Sequence, residues 1–349
     1  MTCDTTATRA VLDLVTGAWR TQAVHTAVRL RLPDLIADGH RDSAALAVVT
    51  GVAEDRVRRL LRLLVALGVF DPEGEGADRV HRPTRVSELL RDRPGSLRDM
   101  CLLYGEEFYQ AWGQAESAVT TGTSGFEQTY GRPLDEHLAA HPEVADRFQR
   151  VMRSGRLVFD SVPTALHLTG VRTVVDLGGG SGQLLATVLA AAPDARGVLV
   201  DLPHTMPLAR AYLAERVGLD RVDLLGQDML TGPVPPGADV YLLSRVLAGH
   251  DTEACVRLLR RVRAVMTPRS RVVVLDRVAT DDPADVLTPL WDLHLLVVNG
   301  GRERTDADCR ALFDRSGLAV ERVVELPLGH KGQLLTPVGK EPAGSAAER

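Results

Sequence analysis

The sequence predicts an α/β protein. Its second half reads as a parallel, helix-covered sheet, behind a mainly helical N-terminal region with a winged-helix pattern. Three observations carry this. From Val171 onward, short β-branched runs alternate with helical stretches. A glycine-rich turn, Gly178-Gly179-Gly180-Ser181-Gly182, joins the first such run to the first helix. Residues 1–100 read as successive helices closed by two short β-prone segments.

In the first region, Gly17 to Leu32 has helical periodicity, and Pro33 marks its end or a restart. Asp42-Ser43 starts a helix through Val49, Thr50-Gly51 turns, and a second helix runs from Glu54 to Leu67. Its residues 57, 60, 61, 64 and 65 form one apolar stripe, and Gly68 closes it. Val69-Phe70 and Arg79-Val80-His81 then flank the turn DPEGEGAD. Helix-turn-helix plus hairpin is a pattern that could read DNA. Residues 1–100 hold 15 arginines against 14 acids, so no net positive field attracts phosphate, and a dimerisation or scaffold role is preferred. Arg56, Arg58, Arg59 and Arg62 read as a solvated helix face. Residues 101–170 are helical, broken at TTGTSG (120–125) and at Pro133 and Pro142. The α/β series fills 171–340: VRTVVDL, GVLVDL, VDLLGQDML, ADVYLLSRVL and SRVVVLDRV, with helices between. The tail KEPAGSAAER reads as frayed.

Composition narrows the function. A chain of 349 residues suggests about two domains. With 45% hydrophobic and 25% charged residues it is ordinary globular material. No apolar run approaches the ~20 residues of a membrane span. The N-terminus lacks the pattern of a secretory signal, so a cytoplasmic location is expected. Cys3, Cys101, Cys255 and Cys309 are scattered without ligand spacing, so neither a zinc site nor a disulfide framework is expected. A net charge of −5 and 4% aromatics disfavour a nucleic-acid binder. Only Lys331 and Lys340 are lysine among 41 basic residues, which reads as genome bias.

The chemistry concentrates after the first strand of the series. Val174-Val175-Asp176-Leu177 delivers the chain to the glycine turn, where glycine allows positive φ and close approach to a ligand. The spacing G-x-G-x-G is not the dinucleotide fingerprint, and no P-loop lysine is present. Asp201 ends the second strand, 25 residues after Asp176, where a carboxylate can accept from both ribose hydroxyls. Asp228-Met229 follows the third strand: the acid suits an adenine amino group and the thioether can cover the ring. Together these read as a nucleoside site.

With these motifs in place, VVDLGGGSG, VLVDLPH, GQDML, YLLSRVL and GGRERT resemble the S-adenosylmethionine-dependent O-methyltransferases of plant caffeate type. The similarity is to their actinobacterial relatives that tailor aromatic polyketides and other natural products. It covers nearly the whole chain to about residue 325. It implies a Rossmann-like class I methyltransferase domain, an N-terminal homodimerisation domain and a substrate pocket between them. By resemblance Gly178 and Gly180 contact the methionine part of S-adenosylmethionine, with Asp176 behind them, and Asp201 and Leu202 the ribose. Asp228 and Met229 would contact the adenine, with Ser244 and Arg245 nearby. S-adenosylhomocysteine would be the product, and no metal, membrane or nucleic acid would be needed.

Methyl transfer needs alignment and removal of the acceptor proton. The family's catalytic histidine lies in a motif like HDWxDE; here the ungapped register puts Ala248 at that position. His250 stands two residues on, either as a displaced base or as the residue before a helix capped by Asp251. Asp276 and Glu303 match the family's supporting acids, although Glu303 could merely pair with Arg302 or Arg304. His294 is either a base or a pocket-wall residue. Three readings of Ala248 follow: methylation of an acidic phenol or enol whose own ionisation replaces the base, non-methylating chemistry that uses the bound sulfonium charge, or ligand binding without catalysis. The substrate side is expected in 101–165 and 285–300. Met152, Phe159, Trp291, His294 and Asn299 would form walls, with Tyr104, Phe108 and Trp112 nearer the domain junction. The substrate expected there is flat and mostly apolar.

Overall fold

The computed structural model describes residues 4–75, 79–153, 156–168 and 170–338. The polar tail from Lys340 lies outside these. The chain divides into two compact units, Met1–Gln110 and Ala111–Arg349.

In the first unit, helix Gly17–Arg29 ends before a left-handed Arg31 (φ 57°), and the chain restarts at Leu32–Ala37 with Pro33 in the first turn. That is a place where proline's missing N–H has no cost. Asp42 caps Ser43–Thr50 by accepting the Ala45 N–H at 2.7 Å, and a left-handed Gly51 closes it. In Glu54–Ala66 only Val57, Leu61 and Leu64 of the apolar stripe are fully buried. They pack with Leu32, Ile36, Leu46, Val69 and Phe70. Arg56, Arg58, Arg59 and Arg62 are exposed on the opposite face. Strands β1 (Phe70–Glu73) and β2 (Val80–Pro83) pair as the antiparallel wing. The helix Thr5–Val15 buries none of its residues, and Leu14 and Val15 are 80% and 64% exposed.

The second unit opens with helices broken where glycine and proline predicted, among them Ala115–Thr121, Gly125–Tyr130, Leu134–Ala140 and Pro142–Arg153. The sheet follows: β3 (Thr173–Leu177), β4 (Arg196–Asp201), β5 (Val222–Gly226), β6 (Val240–Ser244), β7 (Arg271–Arg277), β8 (Leu318–Leu326) and β9 (His330–Pro337). Their order is β5-β4-β3-β6-β7-β9-β8. Strands β3 to β7 are parallel; β9 runs antiparallel to β7, and β8 antiparallel to β9. This antiparallel edge modifies the expected all-parallel sheet. The strand series read from the sequence ended at β7, because β8 is half exposed and rich in charge and so lacks the apolar run of a buried strand. The chain order reverses between β3 and β6, and the carboxyl ends of strands at such a switch point are where a ligand crevice opens.

Candidate active site

The glycine turn leaves β3 at that switch point. Gly178, Gly180 and Gly182 all have positive φ, at 68°, 56° and 84°. A Cβ at Gly178 would stand 2.7 Å from Val246 Cγ2 and 3.1 Å from Met229 Sδ; one at Gly180 would meet Gln149 Oε1 at 2.8 Å. At Gly178 a side chain is excluded by space as well as by conformation, whereas at Gly180 the neighbour is the flexible end of Gln149 and the positive φ decides.

Asp201, the last residue of β4, holds the turn in shape. Its carboxylate accepts the Gly180 N–H and the Leu202 N–H, each at 2.7 Å. A cavity of about 260 Å3 opens over this arrangement, walled by Asp176, Gly178, Gly180, Asp201, Leu202, Ser244 and Arg245. Four further walls, Gln149, Met152, Phe159 and Gln183, come from the helical segments. Met152 and Phe159, expected with the substrate, therefore stand beside the glycine turn. Arg245 fixes them: its guanidinium donates to the Met152 carbonyl at 2.7 Å and lies over the Phe159 ring at 5.3 Å. Arg245 itself is left-handed (φ 55°), a conformation that costs a non-glycine residue of order 1 kcal/mol.

The lining is rich in unanswered acceptors. Both Asp176 oxygens, Gln149 Oε1, Gln183 Oε1 and Ser244 Oγ are buried without a hydrogen-bond partner among the described residues. Asp176 is 1% exposed. Burial, and then the Asp201 charge, push its carboxyl up to about 7. Leaving so many buried polar atoms unmet costs free energy unless a ligand supplies donors. The set fits a cation carrying ammonium and hydroxyl groups, which S-adenosylmethionine is.

Asp228 and Met229 part company. The Met229 thioether lies against Gly178. The Asp228 carboxylate serves its own turn, accepting the Leu230 N–H at 2.7 Å and the Thr231 hydroxyl at 2.9 Å.

The loop after β6 carries Ala248 and His250. Asp251 caps helix Thr252–Val265 through the Ala254 N–H at 2.7 Å, which makes His250 the residue before that cap. Burial lowers the pKa of the His250 ring. Its carbonyl accepts from Arg304 at 2.8 Å, and Arg304 also donates to the Leu247 carbonyl at 2.6 Å. Arg304 is thus a buried clasp on this loop, unnoticed in the sequence except as a neighbour of Glu303. The GGRERT segment lies directly on the loop: the Arg302 N–H donates to the Ala248 carbonyl at 2.9 Å, and a Cβ at Gly301 would collide with that carbonyl. Asn299 stands against the same loop, its Nδ2 3.5 Å from where a Gly249 Cβ would be.

Asp276, next to last in β7, and Glu303 are 6% and 5% exposed. Burial pushes both carboxyls up to about 7. Asp276 Oδ1 and Glu303 Oε2 have no partner among the described residues. The two arginines that flank Glu303 lie in other contacts: Arg302 reaches Asp308 at 3.6 Å and Arg304 the loop carbonyls. Trp291, His294 and Asn299 share helix Leu287–Asn299 and do not line the glycine-turn cavity.

Comparison with known proteins defines the class. An O-methyltransferase domain model matches residues 112–319, and an O-methyltransferase dimerisation domain model matches residues 12–93. The chain belongs to the S-adenosylmethionine-dependent O-methyltransferase family. It is 41% identical to the phenazine-1-carboxylate N-methyltransferase of Pseudomonas aeruginosa over 322 residues, 92% of this chain and 95% of the relative. It is 35% identical to the aclacinomycin 10-hydroxylase RdmB of Streptomyces purpurascens over 339 residues, 93% and 90% of the two chains. The solved structure of human N-acetylserotonin methyltransferase in complex with SAM superposes with a TM-score of 0.87 at 25% identity, covering 97% of this chain and 99% of that one. Within the family this chain is an S-adenosylmethionine-dependent tailoring methyltransferase of natural-product metabolism. No described helix is long and apolar enough to cross a membrane, and no group of three or more metal-binding side chains occurs among the described residues.

Proposed function

We propose that the chain methylates a phenolic or enolic hydroxyl of an aromatic secondary metabolite, without a histidine base. The observation that supports this reading is two buried carboxyls, Asp276 and Glu303, each with one oxygen unpartnered among the described residues, in the strand end and loop that flank Ala248, which the resemblance puts at the family's histidine position. When bound, S-adenosylmethionine supplies an electrophilic methyl on a positively charged sulfur. Asp201 would take the ribose hydroxyls, and Met229, with Asp228 beside it, the adenine. Asp176 would take the ammonium group, with Gln149, Gln183 and Ser244 accepting around it. Gly178 and Gly180 give the ligand room at the backbone.

Alignment then does most of the work, since a well-oriented pair gains several kcal/mol from proximity alone. A carboxylate with a pKa of about 7 is matched to an acidic phenol or enol. Glu303 Oε2 is the acceptor proposed for that proton, and Asp276 its electrostatic neighbour. His250 plays no part as base in this reading. The test is incubation with aromatic hydroxy compounds and methyl-labelled cofactor, comparing the protein with Glu303→Gln. Label transfer that falls at least about a hundredfold in the variant supports the role of Glu303, by the usual size of a general-base effect.

A second reading has its own support. A relative 35% identical to this chain is named a hydroxylase, and Ala248 removes the group that would commit the site to methylation. In that reading the cavity keeps a fixed positive charge beside the substrate and stabilises negative charge that develops there. We further propose a homodimer formed through the first unit, with Val11, Leu12, Leu14 and Val15 covered by the second copy. The buried free thiols Cys255 and Cys309 fit a reducing cytoplasm.

A further inference from the structure

The carboxyl edge of the sheet holds the cavity over the glycine turn, and the amino edge holds a groove of its own. Its volume is about 440 Å3, within the ~300–1,000 Å3 over which small-molecule sites range. Arg172 and Asp239 stand just before β3 and β6, and Arg271 opens β7. The five residues of β3 therefore keep this groove about 17 Å from the glycine turn. Buried Leu166, Leu168, Val240 and Leu334 form its floor.

Four arginines line the groove: Arg172, Arg269, Arg271 and Arg322. Two acids, Asp239 and Glu321, stand among them, so four guanidinium groups against two carboxylates leave two positive charges over. The chain as a whole carries −5, and this excess runs against it. Asp239 is spent on the backbone: its Oδ2 accepts the Arg172 and Thr173 N–H groups at 2.8 and 3.0 Å. Glu321 accepts from Arg271 Nε at 2.5 Å, and the same guanidinium donates to the Arg269 and Ser270 carbonyls at 3.0 and 3.1 Å. The side chains of Arg172 and Arg269 make no hydrogen bond or ion pair among the described residues.

Arg322 has a different partner. Its guanidinium donates to His167 Nδ1 at 2.8 Å. His167 is left-handed, at φ 55°, a conformation that costs a residue with a Cβ and that clusters at ligand sites. A histidine nitrogen that accepts is uncharged, so it holds Arg322 without cancelling its charge as a carboxylate would.

The number and origin of these cations point to the anion that fits them. A carboxylate is planar and matches one guanidinium fork. Phosphate is tetrahedral, and its oxygens can meet guanidinium groups that arrive from different segments of the chain. Linked phosphates also answer more than one positive charge. We propose that this groove binds a polyphosphate chain, free or as part of a nucleotide, with Arg172 and Arg269 as its main ligands and Arg322 held toward it by His167. The site is separate from methyl transfer and stands whether or not that reading holds.

Isothermal titration calorimetry with tripolyphosphate, in magnesium-free buffer at physiological salt, tests it. Arg172→Ala and Arg269→Ala should each weaken binding about three- to fivefold, and the double variant at least about tenfold, the scale of ion pairs open to water. Arg56→Ala/Arg59→Ala, on the exposed helix face of the first unit, should leave binding unchanged. Thermal melts show that each variant is folded. ATP that binds no more tightly than tripolyphosphate identifies the free chain as the ligand, and ATP that binds more tightly identifies a nucleotide; either supports the site. No binding of tripolyphosphate by the wild type overturns the proposal, as does binding that survives the double variant. An equal loss from the first-unit variant, or citrate bound as tightly as tripolyphosphate, overturns it as well.

Discussion

Asp201 holds the glycine turn of the proposed cofactor site, and replacing it with asparagine tests that proposal at one position. The carboxylate accepts two backbone N–H groups, from Gly180 and Leu202, each at 2.7 Å. An asparagine has the same shape but only one acceptor oxygen. Whichever N–H keeps that oxygen, the other faces an amide NH2, a donor against a donor. One charge-assisted hydrogen bond is lost, worth about 1.5–3 kcal/mol, and the turn must move to relieve the clash. Negative charge that is proposed to face the ribose hydroxyls is lost as well. Together these predict S-adenosylhomocysteine binding weakened by roughly ten- to a hundredfold, at 1.4 kcal/mol per factor of ten. Asp201→Ala should weaken binding by at least as much. Isothermal titration calorimetry reads both, with a thermal melt to show that the variants are folded. Affinities for both variants within about twofold of the wild type, on the same energy scale, would refute the assignment of this carboxylate.

Other expectations follow from the same geometry. The Asp176 carboxyl is raised to about 7 from an ordinary value of 3.8, so its protonated form stabilises the ligand-free fold. That stabilisation is complete below the ordinary value and is lost as pH rises through the raised one. Asp176→Asn should therefore raise the melting temperature of ligand-free protein at pH 8 and leave it nearly unchanged at pH 4, while weakening cofactor binding. Arg304→Leu strips donors from the Leu247 and His250 carbonyls and should cost about 2–4 kcal/mol in chemical denaturation, from one buried and one partly buried bond to a charged donor; a loss below about 0.5 kcal/mol would show that the clasp is idle. His250→Ala should leave the methylation rate nearly intact, and a collapse of kcat with unchanged cofactor affinity would make His250 the base. Leu14→Glu, placed on the exposed apolar face of the first helix, should shift the protein toward monomer in light scattering.

Much of this was legible in the sequence because the determinants are local. Glycines that need positive φ, caps at Asp42 and Asp251, and acids at the ends of β4 and β5 announce themselves by spacing. The antiparallel edge was hidden: β8 alternates at the surface with charged residues and gives no apolar run. That Met152 and Phe159, expected as substrate walls, also line the cavity over the glycine turn has no sequence signature, because only tertiary packing brings their helices there. Arg304 was passed over for the same reason. Its partners are backbone carbonyls more than fifty residues away, and carbonyls leave no mark in a sequence. The hydrogen bond from the Trp112 indole to His294 joins residues 182 apart and has no sequence signature either.

The central claim is that Ala248 leaves a methyltransferase that works by alignment and by the acidity of its substrate. The most direct measurement follows a carbon-14 methyl group from S-adenosylmethionine into product, with the protein incubated with an extract of its source organism. The account predicts labelled product and S-adenosylhomocysteine formed in equal amounts. Product that forms only when the cofactor is present, yet carries no label while the cofactor survives intact, would contradict it and establish the non-methylating reading.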